Sequence, residues 1–162
     1  SFTVTVNELV ALTVREQIQA INDALDDIDG LDRKDARRVA LAQSALDRVD
    51  RDSYWQGGDN SLTNSGGYSA MSQPTRAVTQ LDRVNNPAVE LLVQDLVDQM
   101  RDLSQSALDD AIYAGGSAFF IDWAQDALDR GDVSNANGHY SWAAYRYRSA
   151  WFYAWLAALF AG

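Results

Sequence analysis

Apolar residues recur every three to four positions through five stretches of this chain, and Gly, Pro or Asn marks most of the boundaries between them. That period places side chains on one face of an α-helix, and a chain of such segments buries its apolar faces only by packing them together. The predicted fold is therefore all-α, an antiparallel bundle of about five main helices and one minor one. With 162 residues, 47% of them apolar, the chain is long enough to build a core of its own.

The spacing of Leu9, Leu12, Ile18, Ile21, Leu25 and Ile28 predicts a first helix from Asn7, its cap, to Gly30, its stop. A second is predicted over 32–52 with Val39, Leu41, Leu46 and Val49 in the core, folding back on the first as an antiparallel hairpin. Residues 54–73 read as a long loop with four Gly, in which Tyr54, Trp55 and Tyr68 suggest that parts pack down. Pro74 falls in the first turn of a short helix reaching Val84. Asn86 and Pro87 read as N-cap and first residue of a long helix ending near Tyr113, stopped by Gly115 and Gly116. Ser117 is the expected cap of a helix to about Asn137, and 140–160 form the last. Ahead of all of these, Phe2, Val4 and Val6 alternate with Thr3 and Thr5, the pattern of a half-buried strand. Residues 1–6 are thus expected to form a short N-terminal β-strand or the end of a preceding domain, and 7–162 one helical domain.

The net charge of −10 repels a phosphate backbone, so nucleic acid is not an expected partner. Of the 23 acids 20 are Asp, and of the 13 bases 12 are Arg. Asp is a mediocre residue in helix interiors, so helix propensity did not drive that choice; genome composition or a salty habitat would. No Cys is present, which removes disulfides and thiol chemistry. Residues 1–6 carry neither the basic nor the apolar region of a signal peptide, and Ser at position 1 reads as a processed or excised chain. The most apolar stretch, 149–161, is too short to span a bilayer.

Residues 122–151 carry Ala127-Leu128, Gly131-Asp132, Ala136, Gly138, Tyr140, Ala143, Tyr147 and Ala150-Trp151 in an order that resembles a tetratricopeptide-type helical hairpin, here 117–160. Small residues in that pattern let two helices approach while aromatics fill the flanking gaps. From about Asn7 onward the chain resembles the helical C-terminal accessory modules of large secreted bacterial proteins. That resemblance implies a spacer or interaction role without assigned catalysis, at an extracellular or cell-surface location.

The final helix departs from the resemblance. At 100° per residue, Tyr140, Ala143, Ala144, Tyr147, Ala150, Trp151, Ala154 and Ala158 share the expected packing face. Trp142, Tyr145, Ser149, Phe152, Tyr153, Leu156 and Phe160 fall on the other face, where such hairpins carry charge, and Trp155 joins its aromatics as an expected interface residue. A helix apolar all round is buried all round, so these residues are expected to meet another copy of the chain or another exported protein, with Phe2, Val4 and Val6 as a second contact, unless the long loop of this chain covers them or they meet a membrane surface or glycan. A heterologous self-contact would give a ring or filament. The alternative reading is a surface-glycan module with Trp55, Tyr68, Trp142 and Trp155 as stacking platforms.

No cofactor or catalytic centre is expected. His139, the one histidine, adjoins Gly138 at a helix start and reads as capping or exposed. Asp26, Asp27, Asp29, Asp32 and Asp35 surround Gly30, but Leu25 stands where a calcium loop needs its first acid, leaving Asp27, Asp29 and Asp32 as weak metal candidates only. Asp109, Asp110, Asp122, Asp126 and Asp129 offer carboxylate pairs, without any sign of the groove that glycoside hydrolysis requires.

Overall fold

The computed structural model describes residues 11–63 and 70–161, and within them six α-helices and no strand. They are α1 (Val14–Leu25), α2 (Arg33–Val49), α3 (Ser72–Leu81), α4 (Pro87–Tyr113), α5 (Ala118–Ala136) and α6 (Tyr140–Leu159). Phe2, Val4 and Val6, with the strand expected of them, lie outside the described residues, as do Asn7, Leu9 and Tyr68.

Helix α1 starts later than its apolar spacing suggests. Thr13 is its N-cap, and Thr13 and Glu16 form a capping box in which each side chain accepts from the other's backbone N–H at 3.2 Å. Leu12 is left outside the helix and exposed. Helix α2 ends at Val49, earlier than expected. Val39, Leu46 and Val49 are buried, but Leu41 is exposed, because two residues past Val39 is the opposite side of the same helix.

The expected antiparallel hairpin of α1 and α2 is tied by polar side chains. Asn22 donates to Asp47 at 2.6 Å and Gln43 to Asp26 at 2.7 Å. Part of the long loop is packed down by the needs of α1's start. The Val14 N–H donates to Asn60 Oδ1 and the Arg15 N–H to the Asp59 carbonyl, both at 2.9 Å. Arg15 also reaches Asp50 at 2.8 Å and Asp52 at 2.7 Å, pairs that push its guanidinium further toward the charged form. Beneath this cluster Trp55 is buried and donates its indole N–H to the Val49 carbonyl at 2.7 Å.

Asn86 caps α4 as expected, its Oδ1 accepting from the N–H groups of Ala88 and Val89. Ser117 stands at the N-cap of α5 but makes no side-chain cap bond. Instead its backbone N–H donates to the Ala157 carbonyl of α6 at 3.0 Å. The contact needs Gly116 beside it, since a Cβ there would fall 2.8 Å from both the Ala111 and Ala157 carbonyl oxygens.

Helix α6 packs against α3, α4 and α5. It runs antiparallel to α5 and in the same direction as α4, Gln94 meeting Tyr140 and Ser104 meeting Tyr147. The inner face holds Ala143, Ala144, Tyr147, Ala150, Trp151 and Ala154, as the 100° plot places them. Ala158 does not belong to it: Ala157 is buried and Ala158 exposed, the register set by the Ala157 bond to α5. The chain thus buries the inner face of α6 and leaves an outer stripe. No helix among the described residues is long and apolar enough to cross a membrane.

Candidate interaction surface

The α5–α6 hairpin is locked before its outer face comes into play. Asp132 on α5 accepts from Arg101 of α4 at 2.8 and 3.1 Å and from the Tyr147 hydroxyl of α6 at 2.6 Å. Burial favours the protonated acid, but these donors outweigh it and hold Asp132 below the usual carboxylate range. Burial and the bond to Asp132 together push the Tyr147 phenol above its ordinary value. One carboxylate therefore fixes three helices relative to one another.

Against this frame, the residues predicted for an interface divide. Trp142, Tyr145, Phe152 and Phe160 are exposed, Trp142 by 60% and Phe160 by 59%. Tyr153, Trp155 and Leu156 are half-buried. Phe2, Val4 and Val6 lie outside the described residues.

The outer face is wider than the sequence suggested, because α5 contributes Phe119, Phe120 and Trp123. Phe119 lies 4.7 Å from Trp123, Trp123 is edge-on to Tyr153 at 5.3 Å, and Phe120 stacks on Phe160 at 5.9 Å. Phe152 bridges Tyr153 and Trp155 at 6.3 and 5.9 Å. Rings from two helices thus form one continuous path across the outside of the hairpin. Nearer the start of α6, Trp142 is edge-on to Tyr145 at 6.1 Å, with Arg146 over the first ring and Arg148 over the second. The signal for the missed residues was the buried face of α5: Ala124, Ala127, Leu128 and Gly131 turn inward, which leaves Phe119 and Trp123 facing out.

Between the helices runs a shallow groove walled by Trp123, Tyr145 and Tyr153. At its edge Arg130 pairs with Asp126 at 3.0 Å, while Arg146 makes no ion pair among the described residues. Exposed Asp122, Asp126 and Asp129 follow one another along α5, so the face is acidic on one helix and basic on the other.

The other candidates are placed differently. Trp55 is buried with its N–H satisfied, so it offers no stacking platform. Asp32 is the N-cap of α2, accepting from the Asp35 N–H at 2.7 Å, and no group of three acids or histidines among the described residues is placed to hold a metal, Asp27 and Asp29 included. His139 is exposed at the N-cap of α6, and its backbone N–H closes the end of α5 on the Ser134 carbonyl. Asp109 and Asp129 each accept from a glutamine one turn earlier on their own helix. Comparison with known proteins finds no match to a family model, to a curated protein or to a solved structure.

Proposed function

We propose that this chain is a non-catalytic interaction module that associates with copies of itself through the aromatic face shared by α5 and α6. The observation that carries the reading is the continuous path of rings from exposed Phe119 and Trp123 through half-buried Tyr153 and exposed Phe152 to half-buried Trp155. Contiguous aromatic surface of this kind is what interface anchors are made of. The partner in this reading is a second copy: in a two-fold arrangement the Asp122, Asp126 and Asp129 side of one α5 would face the Arg146 side of the neighbour's α6. A heterologous version of the same contact would build a filament. The tetratricopeptide-like order of residues 122–151 fits a packing module, and the resemblance to exported accessory modules supports a place outside the cell or on its surface.

Light scattering across a concentration series tests this. The intact chain should exceed its 17.9 kDa monomer mass, and Trp142→Asp/Phe152→Asp should return it to monomer while keeping its helical circular dichroism. Monomer mass for the intact chain at every concentration would remove self-association.

The aromatic floor of the α5–α6 groove, rimmed by the Asp126–Arg130 pair, favours one second reading, a glycan lying on Trp123 and Tyr153. Iodide quenching of tryptophan fluorescence separates the two. Interface rings become protected as concentration rises, whereas glycan platforms stay accessible until sugar is added.

A further inference from the structure

A second groove, where α2, α3 and α6 meet, has the opposite charge to the rest of the molecule. Arg48 from the last turn of α2, Arg76 from α3 and Arg148 from α6 all line it. Among the described residues no Asp or Glu does, whereas four other grooves on the surface each contain at least one acid. None of the three arginines forms an ion pair among the described residues. On a chain of net charge −10, a groove of about 580 Å³ lined by three arginines and, among the described residues, no acid is a concave site with its anion left to come from outside.

Two further features narrow the ligand. Gln73 lines the same groove, and its Oε1 is buried without a hydrogen-bond partner among the described residues. That oxygen has almost no surface open to solvent, so a ligand hydroxyl or N–H meets it only once the Gln73 side chain turns toward the groove. Tyr54 and the exposed Leu41 supply aromatic and apolar wall, which gives Leu41 a reason to face outward. Guanidinium forks match the planar oxygens of a carboxylate or the oxygens of a sulfate. A long polyphosphate is disfavoured by the surrounding acidity.

We propose that the groove of Arg48, Arg76, Arg148 and Gln73 binds an acidic carbohydrate, its carboxylate or sulfate on the arginines and a ring hydroxyl on Gln73. This site adjoins the aromatic face, since Arg148 also lies over the Tyr145 ring at 5.0 Å, but it does not depend on self-association.

Titration calorimetry of the full chain tests it with four probes: a galacturonate trisaccharide, a sulfated galactose trisaccharide, neutral galactotriose and inorganic sulfate. At least one acidic sugar should bind, and which one does distinguishes uronate from sulfate as the recognised group. Arg48→Gln and Arg76→Gln should each weaken that binding on the order of tenfold, and added salt should weaken it further. Gln73→Met should lower affinity for the sugar and leave inorganic sulfate unchanged. Failure of both acidic sugars to bind, equal affinity for the neutral trisaccharide, indifference to the arginine substitutions, or sulfate ion binding as tightly as the sugars would each overturn the proposal. Unchanged thermal melts confirm that each variant is folded.

Discussion

A Cβ added to Gly131 of α5 would stand 2.5 Å from Cε1 of Tyr147 on α6. The ring has nowhere to go, since Tyr147 is fully buried and its hydroxyl is held by Asp132 at 2.6 Å. Glycine inside a helix ordinarily costs about 0.5–1 kcal/mol relative to alanine. Here that cost is offset by the close approach it permits. The adjacent residues Gly131 and Asp132 thus serve one partner, the first by making room for the ring and the second by accepting its hydroxyl.

Gly131→Ala is therefore expected to destabilise the protein by about 1–3 kcal/mol, against the sign that helix propensity alone would give. Gly57→Ala is the control, because an added methyl there meets nothing within 4 Å. It should change stability by no more than about 0.5 kcal/mol. Urea unfolding of both variants decides the point, and a Gly131→Ala protein at least as stable as the wild type would mean that the ring relaxes.

The Tyr147 phenol gives a prediction with a defined pH window. Its folded-state pKa is raised, by burial first and by the Asp132 bond second. A raised pKa adds stability that is fully present below the unfolded value of about 10 and is lost as pH climbs toward the folded value. At pH 7 Tyr147→Phe should cost about 1.5–3 kcal/mol, the range for a hydrogen bond to a charged group. Above about pH 10 the wild type should lose its advantage by up to about 1.4 kcal/mol per pH unit, because the Phe variant has no phenol to ionise. A gap that stays constant between pH 8 and 12 would show that Tyr147 titrates alike in both states.

The bundle was legible wherever punctuation and periodicity agreed. Asn86-Pro87, Gly115-Gly116 and Gly138 each stand at a helix boundary, and the inner face of α6 followed from angles alone except at Ala158. Periodicity failed where it had no stop signal to oppose it. It carried α1 back to Asn7 past the capping box of Thr13 and Glu16, which was present in the sequence as T-x-x-E. The outer aromatic face was half legible: α6 shows it directly, but Phe119 and Trp123 become its other half only once Ala124, Ala127 and Gly131 are docked on α6. The arginine groove was not legible at all, since Arg48, Arg76 and Arg148 come from three helices that only tertiary packing brings together.

Leu41 and Leu46 turn one of those misreadings into a measurement. Both were expected in the core of α2, yet Leu41 is 46% exposed and Leu46 is 1% exposed. Leu46→Ala should cost about 2–5 kcal/mol through lost burial and a residual cavity. Leu41→Ala should cost under about 1 kcal/mol, since most of what it removes already faces water. Comparable losses at both positions in urea unfolding would mean that Leu41 is covered in solution.

The extent of the aromatic face is open to the most direct test. If association used only α6, substitutions on α5 would leave the mass in solution unchanged. The ring path instead runs through Phe119 and Trp123 before it reaches Tyr153, so Phe119→Asp/Trp123→Asp should disperse the assembly as fully as Trp142→Asp/Phe152→Asp does. Anchor aromatics are commonly worth about 2 kcal/mol or more each, so losing two should weaken association by on the order of 10³-fold. Phe119 is 57% exposed and Trp123 46%, so the α5 variant should melt close to the wild type, separating lost association from lost folding. An α5 variant that keeps the full assembled mass would confine the contact to α6 and leave Phe119 and Trp123 free for the glycan reading.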